Sequence, residues 1–134
     1  MPPASGDVEL STELVSVSVS LVTVPALAQP VTDPAAADEL FEHGKELLQT
    51  GDWPGACAKF RASMSLDPAV GALLKIARCD EHEQKLALAL HDYEAAIQLN
   101  RTRPGQTAAR RAELEAFAQA ALDQLEPRSR GSAS

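Results

Sequence analysis

A helical spacing pattern that occurs twice, 33 residues apart, limits what this chain can fold into more than any other feature. In residues 36–68, apolar residues follow the i, i+3, i+4, i+7 order of an amphipathic helix on both sides of a Gly-Asp turn. Residues 69–101 repeat similar residue types at the same offsets. The matched pairs are Leu40 and Leu73, Gly44 and Ala77, Ala56 and Ala89, and Phe60 and Tyr93. The recurrence predicts two related helical hairpins.

Capping residues define where the helices begin and end. Asp33 offers a side-chain acceptor and Pro34 tolerates the first helical turn, so a helix is expected to begin there. Gly51 suits a left-handed cap, and Asp52 suits the start of the next helix. The expected helices are 34–49, a second one with Pro54 in its first turn that runs to 66, then 69–83, 86–100 and 107–126. The turn at 84–85 has no glycine. The last helix is unpaired, so we expect it to cap the open end. Its apolar face is expected to carry Ala112, Leu114, Ala118, Ala121, Leu122 and Leu125.

Gly44 stands in the middle of the first expected helix, where glycine costs about 1 kcal/mol relative to alanine. A closely packed partner helix explains this choice, because a side chain there would hold the two backbones apart. The alternative is a glycine tolerated on the surface.

Composition limits the class of protein. A chain of 134 residues with 45% apolar content allows one small domain, and its many alanines favour packing of helix on helix. The net charge of −7 argues against a nucleic-acid-binding surface, which needs a basic stripe. No pattern points to a cofactor.

The first 34 residues are expected to form a flexible segment. Residues 14–28 are an apolar run about as long as the core of a signal peptide and too short to span a bilayer comfortably, and Ala26-Leu27-Ala28 fits cleavage near 28/29. Asp7, Glu9 and Glu13 stand where positive charges are expected in such a peptide. The alternatives are therefore export, typically to the periplasm, or a tail without a targeting role in a cytoplasmic protein. Residues 127–134 are expected to be a disordered tail.

The repeated pattern resembles the tetratricopeptide repeat. Leu40, His43, Gly44 and Leu47 stand at the spacing of its first half, and Ala56, Phe60 and Pro68 at that of its second half. The resemblance covers residues 35–126. The segments GDW, ACAKF, LDPAVGALLKIARCDE and Leu-Glu-Pro are similar to exported tetratricopeptide proteins of myxobacteria and related Gram-negative bacteria. The resemblance implies an all-α, right-handed α-solenoid of two helix hairpins plus a capping helix.

In this family the first helix of each hairpin lines a concave surface that holds peptides or partner helices. The resemblance therefore implies that Lys45 and Arg78, one repeat apart, lie on the same side of this concave surface and bind a carboxylate. The asparagines that complete a dicarboxylate clamp in some members are absent. By position, the surface carries Asp38, Phe41, Lys45, Leu48, Leu74, Arg78, Glu81 and His82. The alternative is that the charged side chains of this surface are solvated and its apolar side chains contact the capping helix.

Cys57 and Cys79 lie on neighbouring expected helices, so they either form a disulfide or remain two small buried residues. His82 lies among acidic residues, but its neighbours in sequence point in different directions, so a solvated acidic face is favoured over a metal site. Cys79 and His82 stand three residues apart, as in a thiolate nucleophile with its base, but no third group orients them.

The function expected from these observations is non-catalytic recognition of another protein or peptide, with no catalytic or metal site. A structural spacer or self-association module is the alternative, and an exposed Leu48 or Leu74 in the groove would favour it. An enzyme that uses Cys79 is a remote third hypothesis.

Overall fold

A computed structural model describes residues 31–133, which are all-α: they form five helices and no strand. The apolar run at 14–28 and its expected cleavage site lie outside the described residues. The helices are α1 (Pro34–Gln49), α2 (Trp53–Leu66), α3 (Val70–His82), α4 (Leu86–Thr102) and α5 (Ala108–Ala133).

Side-chain caps start the first two helices as expected. The carboxylate of Asp33 accepts a hydrogen bond from the Ala36 amide at 3.1 Å, and Asp52 accepts one from the Gly55 amide at 3.0 Å. Each bond satisfies an amide that has no partner inside the first helical turn. The turn before α2 contains Gly51 at φ +83°, and the matching turn before α4 contains Gln84 at φ +63°. The two turns therefore share a left-handed residue, although only one of them uses glycine.

The helices pack in chain order, each against the next. One buried cluster lies among α1, α2 and α3 and includes Phe60 and Ile76. A second lies among α3, α4 and α5 and includes Leu74, Tyr93 and Leu122. Helix α3 contributes to both clusters, so it connects the two halves of the described fold.

Gly44 packs against the ring of Phe60. A Cβ atom at position 44 would stand 2.6 Å from Cε1 of that ring, far inside van der Waals contact. Phe60 is fully buried, so its ring has no free space to move into. The explanation of Gly44 by close helix packing is therefore confirmed.

Helices α2 and α3 are joined by a covalent bond and an ion pair. The sulfur atoms of Cys57 and Cys79 form a disulfide, and their Cα atoms are 5.9 Å apart. One turn further along α2, Arg61 donates to Oδ1 of Asp80 at 3.2 Å. We call these four residues the junction.

Two details of the last helix differ from expectation. Residues 127–134 were expected to be disordered, but α5 continues through Pro127 to Ala133. Proline inside a helix removes one backbone donor and crowds the carbonyl four residues before it, so the sequence favours a helix end here. In the fold the next residue, Arg128, donates to Glu81 of α3 at 3.4 Å, a contact between this part of α5 and the rest of the fold. Ala112, expected on the apolar face, is exposed.

We predict that Gly44→Ala lowers the free energy of unfolding by about 1 kcal/mol. Forcing the ring of Phe60 aside costs about 1–3 kcal/mol, which outweighs the gain in helix propensity of at most about 1 kcal/mol. Urea unfolding followed by far-UV circular dichroism measures the change.

Gly71→Ala is the matched control in α3. A Cβ there meets Phe41 at 3.6 Å, an ordinary contact, so we expect no loss of stability. Equal effects of the two substitutions would contradict the packing explanation.

Candidate binding groove

One face of α3 forms the floor of a groove of about 330 Å³. Gly71, Leu74, Lys75 and Arg78 supply this floor, and their i, i+3, i+4, i+7 spacing places them on one side of the helix. The opposite sides of α3 are used for the two buried clusters. The groove therefore exists because α3 is packed on two sides and open on the third.

The walls of the groove come from α1 and α5. Helix α1 contributes Phe41 and Lys45, one turn apart. Helix α5 contributes residues at the same helical spacing as the floor: Arg110, Glu113, Leu114 and Phe117. Phe117 is 46% exposed, which is high for so large an apolar side chain. The lining thus combines apolar and charged side chains.

The groove is basic although the whole chain is acidic. It is lined by four cationic side chains and a single carboxylate, that of Glu113. Lys45 pairs with Glu42 at 3.0 Å and Arg110 pairs with Glu113 at 2.9 Å. Lys75 and Arg78 form no ion pair with any residue in 31–133. Uncompensated positive charge is therefore concentrated on the floor.

The environment of Lys75 shows the same excess of positive charge. Partial burial lowers the pKa of Lys75 below its usual value, and the charges of Arg78 and Lys45 lower it further. An anion placed in the groove would relieve this repulsion. Lys45 also lies over the ring of Phe41, 5.1 Å from its centroid, so that cation and aromatic face are presented together.

The structure brings together four of the eight residues expected on the concave surface, namely Phe41, Lys45, Leu74 and Arg78. Leu74 is 6% exposed, since most of its side chain belongs to the second buried cluster. Leu48 is partly buried against the first cluster and does not line the groove. Self-association through the groove was expected to use an exposed Leu48 or Leu74, and neither leucine is exposed in the groove.

The other three expected residues lie beside the groove. Asp38 lines a smaller neighbouring cavity of about 170 Å³, which shares Phe41 and Gly71 with the groove. Glu81 accepts a hydrogen bond from the buried hydroxyl of Tyr93 at 2.8 Å. Burial, the hydrogen bond to Glu81 and its charge raise the pKa of Tyr93 well above the usual value. His82 stacks on Trp53 with ring centroids 3.9 Å apart. Glu81 and His82 thus make contacts within the fold.

The disulfide bears directly on the third hypothesis. The sulfur of Cys79 is bonded to that of Cys57, and a disulfide sulfur carries no thiolate. Cys79 and His82 therefore do not form a nucleophile and base here.

The wall formed by α5 is not predicted from the sequence. The pattern predicts a capping helix whose apolar face excludes Phe117, and in the fold Phe117 lies outside the buried stripe of Ala118, Leu122 and Leu125. The signal in the sequence was Phe117 itself, a large aromatic residue beside an apolar stripe that is already sufficient to pack α5. Lys75 was missed as well, although it lies one turn from Gly71 and three residues from Arg78.

In the described part of the chain, no three His, Cys, Asp or Glu side chains lie together as a metal site requires. None of the helices between residues 31 and 133 is both long enough and apolar enough to cross a membrane. Comparisons of the chain with protein-family models, curated proteins and solved structures gave no match.

Asp80 is a buried carboxyl group outside the groove, where the sequence suggested a solvated acidic face. It is 1% exposed, and its Oδ2 atom has no hydrogen-bond partner within residues 31–133. Burial and the nearby carboxyl group of Asp92 raise the pKa of Asp80 to about 6, although the charge of Arg61 opposes the rise. Asp80 therefore binds its proton more tightly in the folded chain than in the unfolded one.

We predict that the contribution of Asp80 to stability decreases as the pH rises from 4 to 7. The pKa of Asp80 is near 3.8 in the unfolded chain and about 6 in the folded chain. The stabilisation is therefore fully present below pH 3.8 and is lost as the pH rises through 6. Between pH 5 and 7 the free energy of unfolding should fall by roughly 1 kcal/mol through this group.

Asp80→Asn should remove this part of the pH dependence, and Asp123→Asn on the exposed side of α5 should retain it. Urea unfolding at pH 5 and pH 7 compares the two variants. The three histidines are present in both variants, so the difference isolates Asp80. Identical slopes would show that Asp80 titrates normally.

Proposed function

We propose that this chain is a non-catalytic binding module that receives a peptide or a partner helix in the groove of α1, α3 and α5. The observation that carries the proposal is the groove lining, in which Phe41 and Phe117 stand on opposite walls above an α3 floor. Binding sites combine apolar surface with a few polar groups that fix orientation, and this lining has both.

We also propose that the two hairpins are tetratricopeptide-type repeats in a right-handed solenoid, with α5 as the cap. Two features support this assignment. The helices pack in chain order, as in repeat proteins, where each unit contacts its neighbours. The left-handed residues Gly51 and Gln84 are one repeat apart, so the two hairpins turn at equivalent positions.

The size of the groove limits what it receives. Residues 71 to 78 span about 10 Å along α3, or two helical turns. A volume of about 330 Å³ is at the lower end for ligand pockets. The groove thus suits a few anchoring side chains on one segment of a partner, and a short isolated peptide should bind weakly.

We propose an exported location, typically the periplasm. The apolar run at 14–28 with Ala26-Leu27-Ala28 supports it, as does the disulfide, since disulfides persist in oxidising compartments.

The function is tested by selecting peptides from a random display library on the full chain and measuring their affinity for a variant with a filled groove. Gly71→Leu is that variant. A Cβ at position 71 faces Phe41, so a leucine side chain occupies the groove while remaining compatible with the first turn of α3. We expect selected peptides to bind at least tenfold more weakly to Gly71→Leu.

Ala87→Leu on the exposed side of α4 is the matched control and should bind as the unchanged chain does. Far-UV circular dichroism establishes that both variants are folded. Selected peptides that bind equally well to Gly71→Leu would place the binding surface elsewhere.

A further inference from the structure

The charge of the groove lining is opposite in sign to the net charge of the whole chain. The chain carries a net charge of −7, yet Lys75 and Arg78 on the groove floor have no acidic partner within residues 31–133. Unpaired cations that repel one another raise the free energy of the unbound groove. A ligand that brings carboxylates removes this cost.

The apolar residues are arranged for the same ligand. Phe41 lies on the α1 wall, Phe117 on the α5 wall and Lys75 on the floor that α3 supplies. A segment with apolar residues on one face places them between the two aromatic rings. Acidic residues beside that face then reach Lys75 and Arg78.

From this charge complementarity we infer that the partner of the groove is an acidic amphipathic helix, anchored by apolar side chains between Phe41 and Phe117 and held by carboxylates on Lys75 and Arg78. The inference rests on the proposed function and adds the chemical class of the partner. The floor runs about two helical turns along α3, from Gly71 to Arg78, which is the length over which a bound helix presents anchors at i, i+3, i+4 and i+7.

The test uses fluorescence anisotropy with two dye-labelled peptides of about 14 residues. The first has leucines at i, i+3, i+4 and i+7 with glutamates beside them, and the second has lysine in place of every glutamate. We expect the acidic peptide to bind at least tenfold more tightly than the basic one, and its affinity to fall with added salt.

Charge reversal on the protein makes the test specific. The double variant Lys75→Glu with Arg78→Glu should prefer the basic peptide, because the sign of the floor is inverted. Lys59→Glu is the matched control, since α2 contributes no residue to the groove, and it should keep the preference for the acidic peptide. The neutral variant Lys75→Gln with Arg78→Gln should lose the preference, and it serves if the reversed variant does not fold.

Two results would overturn the inference. Equal binding of the two peptides to the unchanged chain would show that charge does not select the partner. Absence of binding by the acidic peptide at 1 mM would exclude this class of ligand. Neither result decides the proposed function, because library peptides that lose affinity on Gly71→Leu would still establish a groove for partners of another chemistry.

Discussion

The junction between α2 and α3 is the interaction on which the rest of this structure depends. The disulfide of Cys57 and Cys79 ties the first hairpin to α3, and Arg61 pairs with Asp80 beside it. Helix α3 carries the groove floor, and the walls belong to helices on either side of it. A change in the angle at the junction would move Phe41 relative to the floor, so the groove keeps its shape only while α2 and α3 stay in place.

Helix α3 serves three surfaces at once, and its sequence shows how. Ile76 and Cys79 face the first hairpin, Leu74 and Ala77 face α4 and α5, and Lys75 faces the groove. A helix buried on all sides would have no place for Lys75, and a surface helix would expose Leu74. The groove is basic because the open side of α3 carries Lys75 and Arg78.

Local patterns predicted most of the described fold. Side-chain chemistry within one helical turn predicts the bounds of α1 and the capping roles of Asp33 and Asp52. The position of Gly44 in the middle of α1 predicts its close contact with a partner helix. The α5 wall was not predictable in this way, because the angle of α5 depends on distant contacts, such as the bond from Asn100 to the Arg111 carbonyl at 2.8 Å. Leu48 was predicted on the concave surface from its position in the repeat, but in the fold it and Trp53 pack against the first buried cluster.

The central claim, that the junction holds the two hairpins as one unit, is tested most directly by urea unfolding of the oxidised and the reduced chain. Trp53 is the only tryptophan and stacks across the junction on His82, so its fluorescence reports the junction while circular dichroism reports all helices. In the oxidised chain the two signals should change together. Reduction should lower the free energy of unfolding by about 3 kcal/mol, the value expected for a loop of this length. An unchanged midpoint after reduction, or loss of the Trp53 signal before the helices unfold in the oxidised chain, would contradict the account.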